Sequence, residues 1–250
     1  MIRANYLLDA FCEYEVPSFP CPRCDSSLRP VKDSKRKEVS ALSRFEFSVG
    51  AIEPDEGSGV FTLMLHCSSS LCAEAVAVSG TFRYGSYTPD DSPDPVAAAF
   101  LKPCHFSPTI HIFPICEKCP ERVRKAILIP FDLYWNSPQG AGNALRTAVE
   151  ALLDYLGVRK WTKNKKGELI TINLGARIVE YSKKSPAVGE ILMAIKWIGN
   201  SGSHLSNLTH ESVIAGYQLF SHALDEIFEK RTATITKMAK KINKRKKPTK

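Results

Sequence analysis

Four cysteines in two close pairs constrain this chain more than any other feature. Cys21-Pro-Arg-Cys24 is followed, with forty-two residues between, by Cys67-Ser-Ser-Ser-Leu-Cys72. Two thiolates two residues apart on a tight turn fill two corners of a tetrahedron, and a second close pair from a neighbouring hairpin fills the other two. The expected ligand set is therefore Cys21, Cys24, Cys67 and Cys72 around a structural Zn2+, in the arrangement of a zinc ribbon. The second pair has four intervening residues instead of two, and His66 is the alternative ligand beside it. A closed four-thiolate site leaves no open coordination position, so its expected role is folding and not catalysis.

The other cysteines fit the same picture of thiols without disulfides. The chain has eight in all, and its start, with Arg3 and then Asp9, Glu13 and Glu15, lacks the cationic flank and apolar run of a signal peptide. Its longest apolar runs fall far short of the roughly 20 residues that cross a bilayer. The expected setting is cytoplasmic, away from membranes. Cys116-Glu-Lys-Cys119 is a second pair at metal spacing, with Cys104 and either His105 or His111 as the ligands that would complete it, and Cys12 is unassigned.

Residues 40 to 87 alternate with the period of a β-strand. Phe45, Phe47 and Val49 form one set, Phe61, Leu63 and Leu65 another, and Val76, Val78, Phe82 and Tyr84 a third, which predicts an antiparallel meander with a turn at 54–59. From Thr88 to Pro120 come seven of the sixteen prolines, which predict an irregular connector at 88–119.

After Pro120 the period becomes helical. Glu121 to Trp135 is one segment, with Pro130 expected to kink or end it. A second opens at Ser137-Pro138, carries Leu145, Ala148, Val149, Leu152 and Leu156 on one face, and stops at Gly157. A short helix near Leu174 to Tyr181 follows, then one opening at Ser185-Pro186 with Ile191, Leu192, Ile195 and Ile198 inward. The fifth starts at Thr209, where Leu208 and Val213 form a staple, and runs through Tyr217, Phe220, Leu224 and Ile227 toward Ile242. The expected fold class is α+β: a β-rich zinc-ribbon-like module at 1–87, a connector, a five-helix bundle at 120–236 and a basic tail at 237–250.

Trp197-Ile-Gly-Asn200-Ser-Gly-Ser-His204, taken with Arg146-Thr-Ala-Val-Glu150, resembles the domain of unknown function 4145 (DUF4145) family over roughly residues 120–230. The resemblance implies a helical domain similar to the HEPN superfamily, often dimeric, found in prokaryotic proteins of which some act in phage defence. Many HEPN members are metal-independent ribonucleases in which an arginine precedes a polar residue and a histidine follows. Asn200 and His204 match the polar and histidine positions, and Gly199 stands where the arginine would be. The implied catalytic set is His204, Asn200, Arg146 and Glu150, with Arg146 or Lys196 supplying the cation that a charged phosphate requires. The alternative is structural: Asn200 capping a helix and Arg146 paired with Glu150 one turn on.

Net charge sharpens the reading of the tail. The chain carries +8, yet eight of its 34 basic residues lie from Lys237 onward with no acid among them, and the remainder equals its 26 acidic residues. The excess charge is thus confined to the end, where Lys240, Lys241, Lys244, Arg245, Lys246 and Lys247 are candidates for phosphate contact with RNA or DNA. The expectation is a zinc-stabilised module that binds nucleic acid or protein, as a homodimer or with a defence partner. An endoribonuclease is the alternative.

Overall fold

The computed structural model describes residue 7 and residues 10–53, 55–90, 93–203 and 208–245. The chain divides into two compact units, one formed by residues 2–112 with 131–137, the other by residues 113–130 with 138–250.

The first unit is built on one antiparallel sheet. Its strands are β1 (Phe11–Cys12), β2 (Phe19–Pro20), β3 (Ser27–Pro30), β4 (Arg36–Val39), β5 (Ser58–Cys67), β6 (Ala75–Tyr87) and β7 (Val96–Ser107). The order is β1-β7-β6-β5-β3-β2, with β4 on β5 as well. Strict alternation along β5 sends Phe61, Leu63, Leu65 and Cys67 inward while Thr62, Met64 and His66 stay exposed. Val76, Val78 and Phe82 of β6 are likewise buried, so these two strands form as their periodicity predicts. The sheet is larger than a zinc ribbon.

Two segments depart from expectation. Residues 41–48, read as a strand through Phe45 and Phe47, form helix α1 (Ala41–Ser48), because Ser40 accepts a hydrogen bond from the Ser43 N–H and caps it. Phe45 and Val49 are exposed, and β4, just before α1, supplies the strand that pairs with β5. The segment at 88–119 is not an irregular connector throughout: eleven of the twelve residues of β7 pair with β6. The prolines flank this strand, and the one inside it, Pro103, sits at a register shift where Gly80 opposes it. There a side chain on Gly80 would meet the Lys102 carbonyl, so the close approach requires glycine.

The second unit is helical. It contains α2 (Glu121–Tyr134, shared in its last turn with the first unit), α3 (Pro138–Tyr155), α4 (Leu174–Ser182), α5 (Pro186–Ser203), α6 (His210–Leu224) and α7 (Arg231–Arg245). A two-stranded ribbon, β8 (Trp161–Lys163) with β9 (Leu169–Thr171), lies between α3 and α4. With α1 this gives seven α-helices among the described residues where five were expected. The two additions are α1 and α7. Pro130 stands inside α2 without ending it, and the buried Tyr217 hydroxyl donates to its carbonyl at 2.5 Å. At the other end, α6 passes into a π-helical turn (Asp225–Glu229), and Lys230 takes a left-handed backbone (φ 50°) that breaks the run and starts α7 afresh.

The core follows the apolar stripes. Leu145, Ala148, Val149 and Leu152 of α3, Leu192 and Ile195 of α5, and Val213, Tyr217 and Phe220 of α6 are all fully buried. Thr209 caps α6 by accepting from the Ser212 N–H at 3.3 Å, with Leu208 and Val213 buried on either side of it. No helix among the described residues is long and apolar enough to cross a membrane.

Candidate functional site

The two cysteine pairs converge at one end of the sheet. Cys21 and Cys24 sit on the β2–β3 turn, closed by the Cys21 N–H to Ser26 carbonyl and Asp25 N–H to Cys21 carbonyl hydrogen bonds at 2.7 and 2.9 Å. Cys67 ends β5, and Cys72 closes the following loop, where the Cys72 N–H reaches the Ser69 carbonyl at 3.0 Å. Each turn finishes on a left-handed residue, Asp25 (φ 60°) after Cys24 and Ala73 (φ 50°) after Cys72. The two knuckles are therefore built alike despite their different loop lengths. Cys67 pairs with Leu28 across β3, which brings the second pair beside the first.

Sγ of Cys21 lies 3.7 Å from Sγ of Cys72, and Sγ of Cys24 lies 3.4 Å from Sγ of Cys67. All four sulfurs lie within 4.8 Å of one another. A tetrahedron with zinc–sulfur bonds of about 2.3 Å has edges of about 3.8 Å, whereas a disulfide needs about 2.05 Å. The spacing therefore suits a shared cation and excludes bonded cystines. The Ser69 N–H points at Cys67 Sγ at 3.4 Å, a hydrogen bond that favours the thiolate. Among the four thiols alone, Ser26, through its hydroxyl and its backbone, lowers Cys24 to about 6. Burial pushes Cys67 up to about 12. Thiol protons must be displaced when a metal binds, so affinity rises with pH. These four cysteines could hold a metal ion, and among the described residues no other group of three or more His, Cys, Asp or Glu does so.

His66, the alternative ligand, points to the opposite face from Cys67 and is exposed. Among the described residues, the expected second pair belongs to no group of three or more metal-ligating side chains. Cys116 and Cys119 share a turn through the Cys119 N–H to Cys116 carbonyl bond at 3.0 Å. Burial pushes Cys119 up to about 12, the behaviour of a packed neutral thiol. His105 instead faces Asp132 at 3.3 Å.

In the helical unit, Arg146 and Glu150 project from α3 and pair at 3.6 Å, both half-buried. Gly199 is buried inside α5, and a Cβ placed on it would lie 2.7 Å from Arg146 Cβ and 2.9 Å from the Gly142 carbonyl oxygen. The helices touch backbone to backbone at this point. An arginine at 199 has no room, and the side chain that meets this point, Arg146, comes across from α3. Asn200 follows within the same helix, which continues to Ser203, so Asn200 does not cap a helix end. Lys196, the other candidate cation, lies over the Trp197 indole at 3.5 Å from the ring centroid. His204 lies outside the described residues, as do Lys246 and Lys247.

Lys240, Lys241, Lys244 and Arg245 are exposed on α7. The helix has no buried residue and no acidic one.

Residues 131–245 match the family model described as Domain of unknown function (DUF4145), and residues 9–106 match another, Domain of unknown function (DUF8608). The cysteine cluster falls within the second match, and Arg146, Gly199 and α7 fall within the first. No curated protein and no solved structure matches the chain significantly.

Proposed function

We propose that the chain is a zinc-stabilised nucleic-acid-binding module. The thiolate cluster holds the β unit, and the C-terminal helix meets the phosphate backbone. The observation that carries the reading is α7 itself: from Arg231 to Arg245 it bears six basic residues and no acid, and its side chains pack into no core. Lys237, Lys240, Lys241 and Lys244 share one side at three- and four-residue spacing, an array suited to a line of phosphates. Zinc is the metal of choice for the cluster because four thiolates in a tetrahedron select it over oxygen-seeking cations. Binding of this kind is sequence-tolerant, since phosphate contacts position a protein without reading bases. A prokaryotic defence setting follows from the resemblance of residues 120–230 and belongs to the same proposal. The test is a salt titration of nucleic-acid binding by the full chain and by a chain ending at residue 236. A shallower salt slope for the shorter chain supports the reading, and identical slopes refute it.

A second reading, a metal-independent endoribonuclease, is supported by the Arg146–Gly199 contact. It offers a cation from α3 beside Asn200, in place of the arginine that Gly199 displaces. On this reading Arg146 stabilises phosphate charge and His204 moves the proton. Cleavage of structured RNA, abolished by His204→Ala and insensitive to chelator, would establish it. Intact RNA at micromolar enzyme would dismiss it.

A further inference from the structure

A cleft of about 650 Å³ opens beside the end of α3, lined by none of the candidate site residues described above. The chain leaves α3 through Gly157 in the left-handed region (φ 73°), with the Val158 N–H bonded to the Leu153 carbonyl at 3.0 Å. That turn sets Val158 and Arg159 as one wall, and Ile172 and one side of α4 form the other.

Two polar side chains line the cleft although they are almost wholly withdrawn from solvent. Arg177 is 2% exposed and Tyr181 8%. The Arg177 Nη2 donates to Asp154 Oδ1 at 2.6 Å and to the Val158 carbonyl at 3.1 Å, but its Nε–H has no partner among the described residues. The Tyr181 hydroxyl also makes no hydrogen bond among the described residues, but its oxygen, unlike Arg177 Nε, is not sealed from solvent, so it is a donor that an incoming group can reach. An unpaired buried donor such as Arg177 Nε is costly and uncommon, and at a cleft it indicates an acceptor that arrives from outside.

The charge around them selects the acceptor's sign. Asp154 already faces three cations, Arg177, Arg122 at 3.2 Å and Lys160 at 3.7 Å. The lining adds Arg159 and Lys184, neither ion-paired among the described residues, while the one lining acid, Glu180, is engaged by Lys183. The surplus is positive. Its size fits a ligand well beyond a bare ion, because small-molecule sites run from about 300 to 1,000 Å³. The apolar part of the wall, Val158 and Ile172 with the Tyr181 ring, suits a flat organic body.

We propose that this cleft binds a small phosphate monoester of about nucleotide size, its phosphate met by Arg159, Lys184, Arg177 and the Tyr181 hydroxyl. The site is independent of the tail and of the cysteine cluster.

Isothermal titration of the full-length protein with AMP, adenosine and inorganic phosphate tests the proposal. AMP is expected to bind, and adenosine to bind at least about tenfold more weakly for want of charge-assisted hydrogen bonds. Lys184→Glu and Arg159→Glu, on exposed side chains that hold no structural pair, should each weaken AMP roughly tenfold while far-UV circular dichroism is unchanged. Tyr181→Phe should weaken it a few-fold, and Lys244→Glu on α7 should leave it unaltered. The proposal is overturned if neither AMP nor phosphate binds at millimolar concentration or if adenosine binds as tightly as AMP. It also falls if Lys244→Glu costs as much affinity as Lys184→Glu, since the anion would then sit on the tail.

Discussion

Substituting Gly199 by alanine weighs two opposed effects of known size. In an exposed helix the change gains about 1 kcal/mol, because glycine is that much poorer than alanine as a helix former. Here the added methyl would meet Arg146 Cβ at 2.7 Å and the Gly142 carbonyl oxygen at 2.9 Å. Both atoms are fixed to backbone, so α3 and α5 must separate, and overpacking of this kind costs roughly 1–3 kcal/mol. The net expectation for Gly199→Ala is a loss of up to about 2 kcal/mol. Gly142→Ala provides the contrast on the facing helix. Its nearest obstacle is Leu208 Cδ2, the mobile end of a side chain, so its cost should fall well below that of Gly199→Ala. Urea unfolding followed by far-UV circular dichroism reads both, with the midpoint falling and the slope unchanged. A Gly199→Ala protein as stable as the parent, or more stable by the helix-forming gain, would show that the helices do not meet here. The explanation for the missing arginine would then fail as well.

Three further outcomes follow. Burial opposes the ionised form of Glu13, yet hydrogen bonds from Lys35, Lys37 and the Ala99 N–H outweigh it and hold the carboxyl at about 2, below its ordinary value of 4.5. A depressed folded-state pKa contributes stability above the unfolded value and loses it as pH falls toward 2. Glu13→Gln should therefore flatten the acid limb of stability between about pH 5 and 2, by at most about 3 kcal/mol; an unchanged limb would remove Glu13 from this role. Asp154→Ala leaves the buried Arg177 with only the Val158 carbonyl, and should destabilise the helical unit by about 3 kcal/mol in chemical unfolding. A loss under about 1 kcal/mol would mean water reaches that guanidinium. Truncation after residue 236 should leave the unfolding midpoint within error, because no residue of α7 is buried; a falling midpoint would mean that α7 packs.

What the sequence disclosed depended on how local each signal was. The two cysteine knuckles, the stripes of α3, α5 and α6, and the Thr209 cap are each specified within a few residues, and all stand where their spacing placed them. Phe45, Phe47 and Val49 misled because alternation over five residues matches an exposed helical turn as well, and the Ser40 cap decided it. Strand β7 was hidden by counting prolines without their positions, for only Pro103 lies within it and a bulge absorbs that one. The break before α7 turns on a single left-handed residue, Lys230, which no side-chain type announces. The contact of Gly199 with Arg146 was invisible for a different reason: it depends on how two helices cross, and the sequence records only that a glycine stands where a cation was expected. The cleft beside Arg177 is of the same kind, assembled from a helix end, Ile172 just beyond the ribbon and a second helix.

The central claim is that Cys21, Cys24, Cys67 and Cys72 form one closed zinc site. Mass spectrometry of the native protein, with elemental analysis of the same sample, measures this directly. The account predicts one zinc per chain, retained at neutral pH and lost when Cys21 and Cys24 are replaced together. Purified, folded protein that carries no zinc and takes up none when it is offered would contradict it.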